Sequence, residues 1–94
     1  MVVTLKFLGA LRHASGKDTL TLNCKKGTSI MEVVDEISRT VPTLRRSLVN
    51  EHLNEPMPNA LILVNGREIS ILDNLETRIK DGDEIVFVPV FHGG

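Results

Sequence analysis

Ala60-Leu61-Ile62-Leu63-Val64-Asn65-Gly66-Arg67-Glu68 is the stretch that decides the fold. Five apolar residues in succession read as a strand contacted on both faces. Asn65-Gly66 then asks for a tight type I′ turn, because both central positions of that turn need positive φ. The chain must therefore double back, and residues 67–71 are expected to return as a short strand. Further on, residues 74–80 are too short for a full helix and read as a turn with Leu75 and Ile79 inward. Asp81-Gly82-Asp83 turns the chain again, into a last strand over residues 84–90.

Towards the N-terminus, Val3, Leu5 and Phe7 alternate with Thr4 and Lys6, the period of a strand with one buried face, and Gly9 offers an exit. Residues 12–17 read as a polar loop turning at Gly16. Leu20, Leu22 and Cys24 then alternate with Thr21 and Asn23, so the first two strands make a hairpin. Ser29 followed by Glu32 is a capping-box signature, with Thr28 an equally good cap. Behind it Ile30, Val33, Val34, Ile37 and Val41 form one helical stripe, opposite a face of Glu32, Asp35, Glu36 and Arg39. Pro42 ends this helix, residues 43–49 offer a shorter one with Leu44 and Leu48 inward, and residues 50–59 are expected to be a mobile loop.

One main helix packed on one face of a mixed sheet of about five strands is an α+β roll. Residues 1–90 make one domain and residues 91–94 a flexible C-terminal tail. Because one helix covers one face, the other sheet face is left to solvent or a partner. Val64, Val86 and Val88 alternate with Leu63, Ile85 and Phe87, and the strip Val64, Val86, Val88 is the expected docking face, although the same valines also satisfy β-propensity.

Composition bounds the function. Ninety-four residues give one small domain, and 41% hydrophobic with 24% charged residues suits a compact core. A net charge of −1, with Lys25-Lys26 and Arg45-Arg46 as the longest basic runs, leaves no electrostatic footprint for nucleic acid. Only Phe7, Phe87 and Phe91 are aromatic, too few for a base-stacking platform. No apolar run approaches the ~20 residues of a membrane span. Met1 leads straight into a strand rather than a secretory leader, so a cytoplasmic protein is expected. The single cysteine, Cys24, has no internal partner for a disulfide.

The chain carries neither a phosphate-cradling glycine loop nor a dinucleotide fingerprint, so it is not expected to bind ATP by itself. His13, His52 and His92 are scattered and lack neighbours at metal-ligand spacing. Cys24, on the inward phase of its strand, reads as a buried hydrophobe with an unactivated thiol. Asp81 and Asp83 read as turn formers rather than an acid/base pair. The C-terminus remains. Gly93-Gly94 has no side chains, so its carboxylate could thread a narrow channel in another protein, and four residues past the last strand reach roughly 13 Å. A carboxylate is a poor electrophile and would need an adenylating partner to supply ATP. A disordered tail is the competing explanation of the same two glycines.

Leu63-Val64-Asn65-Gly66-Arg67-Glu68, Leu75, Asp81-Gly82-Asp83-Glu84-Ile85, Pro89 and Gly93-Gly94, with Leu5-Lys6-Phe7 and the Thr28-Ser29 helix start, resemble the ubiquitin-like β-grasp sulfur carriers of the MoaD and ThiS type. The resemblance covers nearly the whole chain. It implies a co-substrate rather than an enzyme, binding no cofactor itself: a ubiquitin-activating-type enzyme adenylates Gly94 with ATP, and persulfide sulfur converts it to a thiocarboxylate, with Gly93 its slender neighbour. MoaD proteins often carry two prolines before small residues and Gly-Gly, whereas this chain has Val88-Pro89-Val90-Phe91-His92-Gly93-Gly94. The His-Gly-Gly ending resembles instead the eukaryotic ubiquitin-related modifier and small archaeal modifier proteins, which serve tRNA thiolation and become attached to lysines. Three roles follow: sulfur carrier and modifier working with a tRNA thiolase and target-protein lysines; small subunit partnering the large subunit of molybdopterin synthase; or an interaction module with an inert tail. Phe91 is expected to anchor in a partner groove beside the docking face; His92 could hydrogen-bond within the activating enzyme, but it reads first as a passive exposed residue.

Overall fold

The structure is a computed structural model describing residues 1–48 and 60–89. The expected loop 50–59 and tail 91–94, with Phe91, His92, Gly93 and Gly94, lie outside the described residues.

Five strands form one mixed sheet: β1 (Val2–Phe7), β2 (Thr19–Asn23), β3 (Ala60–Val64), β4 (Arg67–Glu68) and β5 (Glu84–Pro89), in the order β2-β1-β5-β3-β4. β1 pairs antiparallel with β2 and parallel with β5, and β5 pairs antiparallel with β3. Among the described residues three α-helices, α1 (Ala10–Ser15), α2 (Ile30–Thr40) and α3 (Pro42–Leu48), complete the α+β roll. The alternating residues Val3, Leu5, Phe7, Ile62, Ile85 and Phe87 meet the α2 stripe Ile30, Val33, Val34 and Ile37 in one core. Phe7 and Phe87, opposite each other in the parallel register, stack with centroids 5.4 Å apart.

The capping box forms as the sequence expects. The Glu32 amide donates to Ser29 Oγ and the Ser29 amide to Glu32 Oε1, both at 3.2 Å. Two further bonds, Ile30 N to Thr77 O and Ile79 N to Thr28 O, each 2.9 Å, clamp the start of α2 to the segment before β5. Pro42 stops α2 and, at the first position of α3, opens the next helix, where a missing N–H costs nothing. Leu44 and Leu48 are buried, as their spacing requires.

Four expectations need correction. The polar loop between the first two strands contains the helix α1, anchored by buried Leu11 and closed by Gly16 at φ 73, whose N–H donates to Arg12 O at 3.0 Å. The return strand stops after Glu68: its carboxylate accepts the Ser70 amide and starts a 3₁₀ turn, Ile69–Ile71, which buries Ile69 and leaves Ile71 in solvent. β3 is covered on one face only, and Leu61 is 45% exposed. Cys24 sits just past β2 and is half-buried rather than buried.

Candidate functional site

β5 is the central strand from which the C-terminal tail departs. The outlet is held from both sides. Pro89 is paired with Ala60 at the start of β3. On the other side the Leu8 amide donates to Phe87 O at 3.1 Å, and the chain then turns at Gly9. Gly9 has φ 54 and ψ −131, a conformation for which side-chain-bearing residues are poorly suited, and a Cβ there would stand 3.2 Å from Pro89 Cγ. Proline fixes its own φ and ends the donor ladder of β5. Glycine at position 9 thus lets the turn after β1 approach Pro89, the last described residue of β5. Pro89 was visible in the sequence as part of the family pattern; the role of Gly9, read there only as a strand exit, was not.

Beside the outlet lies the open face of the sheet. In an antiparallel ladder, residues opposite each other share a face, so the pairs Leu61/Val88 and Leu63/Val86 put four aliphatic side chains outward together. Leu8, 44% exposed, follows the end of β1 beside this strip. Its border is polar: Lys6 Nζ and Glu84 Oε2 pair at 3.2 Å, and Glu68 stands opposite Leu63. Val86 and Val88 are therefore placed as expected. Val64 is not: it stands opposite Ile85, is 7% exposed and belongs to the core, and Leu63 takes its place on the outer face. The physical reason is register. Alternation separates two sets within each strand but does not say which set of one strand joins which set of the next.

The remaining sequence candidates are structural. Asp81 Oδ1 accepts the Val2 amide at 2.7 Å, and Asp83 Oδ2 accepts the Lys80 amide at 2.7 Å. Asn65, at φ 50, donates from Nδ2 to Asp83 Oδ1 at 2.8 Å and accepts the Glu84 amide at 2.9 Å, so the β3–β4 turn is tied to the start of β5. Burial pushes the Cys24 thiol up from its ordinary value, with Glu36 and Glu32 adding to the effect and the Met1 ammonium opposing it. Such a thiol is poorly nucleophilic near neutral pH. Among the described residues no group of three His, Cys, Asp or Glu side chains could hold a metal ion, and no helix is long and apolar enough to cross a membrane.

The family model for Urm1 (Ubiquitin related modifier) matches residues 2–94. The chain belongs to this family. It is 26% identical over 94 residues to small archaeal modifier protein 3 of Haloferax volcanii, with all of both chains covered. It is 27% identical over 100 residues to ubiquitin-related modifier 1 of Schizosaccharomyces pombe, again with both chains covered completely. The solution structure of small archaeal modifier protein 1 from Methanosarcina acetivorans superposes with a TM-score of 0.82 at 28% identity, covering 99% of this chain and 96% of that one. The ubiquitin-like β-grasp fold is thereby established, and with it membership of a family of ubiquitin-like sulfur carriers and modifiers.

Proposed function

We propose that this chain carries sulfur on the carboxyl group of Gly94 and that the same activated end is transferred to target-protein lysines. A ubiquitin-activating-type enzyme joins the carboxylate to AMP from ATP and releases pyrophosphate. The terminal sulfur of an enzyme-bound persulfide then attacks the acyl carbon and AMP leaves. Reduction of the resulting acyl disulfide by a thiol frees the thiocarboxylate, which delivers sulfur in the cytoplasm to tRNA thiolation or to cofactor synthesis. An amine in place of the persulfide gives an isopeptide bond. In this reading the chain's own contribution is a slender end, Gly93-Gly94, and a body by which the enzyme recognises it.

The observation that carries this reading is the outlet: the central strand β5 is held by Gly9 and Ala60 at Pro89, beside the outward strip Leu61, Leu63, Val86 and Val88. Apolar residues gathered on an otherwise polar sheet face favour a partner, and this one adjoins the departure point of the tail. Phe91 and His92 complete the proposed recognition surface. The family match through residue 94 supports the same end as the reacting one.

The test is intact mass after incubation with the cognate activating enzyme, ATP and a persulfide donor, with peptide mapping of cellular lysines for glycine remnants. Replacement of one carboxyl oxygen by sulfur supports the carrier role, and remnants support the modifier role. An unchanged carboxylate under these conditions sinks both. Val86→Asp separately probes the docking face: it should raise KM for adenylation about tenfold or more, since a buried unpaired charge costs well over 1 kcal/mol at an interface.

A further inference from the structure

The tail and the open face leave one edge of the sheet unexplained. β2 is the terminal strand of the order β2-β1-β5-β3-β4. Its pairing with β1 runs without a bulge from Val2/Asn23 to Lys6/Thr19. Met1 and Cys24 exchange both backbone bonds, at 2.9 and 2.7 Å, and the Phe7 amide donates to Asp18 O at 3.0 Å. Counting in twos between those anchors, Leu22 and Leu20 also turn their backbone groups to β1, and Thr19, Thr21 and Asn23 turn theirs outward. Edge strands are commonly blunted by a lysine, a proline or a bulge. Thr19-Leu20-Thr21-Leu22-Asn23 has none of these and is a good strand former.

Next to that edge, a groove of about 290 Å³ runs between the end of β2 and α2, with Leu22, Cys24 and Val33 among its apolar lining. Leu20, Leu22 and Cys24 belong to the inward phase and pack on the core, yet they are only partly buried, because no described element covers them from the edge side. The rim on α2 is acidic, formed by Glu32, Asp35 and Glu36, with Arg39 bound to Asp35 at 3.3 Å and Glu36 at 2.9 Å; Lys25, past the end of β2, also lines the groove.

From this juxtaposition we infer that β2 accepts an extended segment of a partner protein as an added strand, apolar at alternate positions and flanked by lysine or arginine. Backbone groups of Thr19, Thr21 and Asn23 pair with the segment, every second side chain enters the groove, and the basic flanks meet the α2 rim. A second copy of this chain is a poor occupant: pairing two β2 edges in one continuous sheet would set two acidic α2 rims on the same side of the joint. The site is separated from β5 by β1, so its occupation is independent of the chemistry proposed for Gly94.

The experiment is a titration of ¹⁵N-labelled full chain with a capped decapeptide in which isoleucine alternates with threonine between lysine pairs, and with its glutamate-flanked counterpart. The expected result is slowed amide exchange, about tenfold or more, at Thr19, Thr21 and Asn23, slower iodoacetamide labelling of Cys24, and at least about tenfold weaker binding of the glutamate-flanked peptide. Thr21→Pro should abolish binding, since only an outward N–H is removed. Glu36→Lys, which leaves the strand untouched, should reverse the preference between flanks. The proposal is overturned if protection fails to appear at those three amides, if the shifts fall on Leu61, Leu63, Val86 and Val88 instead, or if both flanks bind equally. Protection that grows with protein concentration in the absence of peptide would also overturn it, in favour of a dimer.

Discussion

Gly9→Ala tests whether the outlet is held as described. Two costs arise. At φ 54 and ψ −131 the backbone is in a region that alanine populates poorly, and a residue forced into such a region costs about 1–3 kcal/mol. The new Cβ would also stand 3.2 Å from Pro89 Cγ, closer than ordinary packing, so Pro89 or the turn must shift by a few tenths of an ångström. Together they predict a loss of about 2 kcal/mol, which for a domain of this size lowers the thermal midpoint by roughly 8–16 °C. Urea and thermal unfolding followed by circular dichroism measure it. Adding Pro89→Ala separates the parts: it relieves the contact but not the φ strain, so the double variant should recover only the smaller share. A Gly9→Ala protein within about 0.3 kcal/mol of the parent would show that the turn relaxes freely. The claim that the turn after β1 needs glycine to approach Pro89 would then be wrong.

Other outcomes follow from the same structure. Val64→Asp should abolish the cooperative unfolding transition, whereas Val86→Asp, on the outer face, should leave the thermal midpoint nearly unchanged; thermal melts of the two reverse this if the register is misread. Asn65→Ala removes two hydrogen bonds joining the hairpin to β5 and should cost about 1–3 kcal/mol in urea unfolding. Ser29→Ala should cost about 1 kcal/mol through loss of the helix cap. Because burial raises the Cys24 thiol, the folded state favours the neutral form. Its contribution is full below the ordinary thiol range and is lost as pH rises through that range to the higher folded value. The urea midpoint should therefore fall, as pH rises past the ordinary thiol range, more in the parent than in Cys24→Val.

Much of this fold is legible because local signals agree with one another. Ser29 with Glu32, the stripe from Ile30 to Ile37 and the pair Asn65-Gly66 each name an element whose chemistry is complete within a few residues. The helix α1 escapes such a reading because in six residues only Leu11 is buried, and one apolar residue has no period. Ile69 and Ile71 keep the alternation of a strand, but the carboxylate of Glu68 captures the Ser70 amide and the backbone coils instead. Val64 shows a deeper limit: its face is a property of how β3 meets β5, a long-range register no local window contains. The outlet is half legible on the same ground. Pro89 marks it in the sequence, whereas the need for glycine at position 9 arises only when the end of β1 is brought beside the end of β5.

The parallel pairing of β1 with β5 gives the module a mechanical character. Its N-terminus lies at the start of β1 and its tail leaves from the end of β5, with Thr4–Phe7 in register with Glu84–Phe87. Traction applied between the two ends slides these strands along each other, so their slanted hydrogen bonds are loaded together rather than peeled one by one. β5 is clasped by β3 on its other side as well. A protein joined to others through its tail would thus be hard to thread by pulling on its two ends, and a machine that unravels conjugates would find easier purchase at the peripheral strand β2.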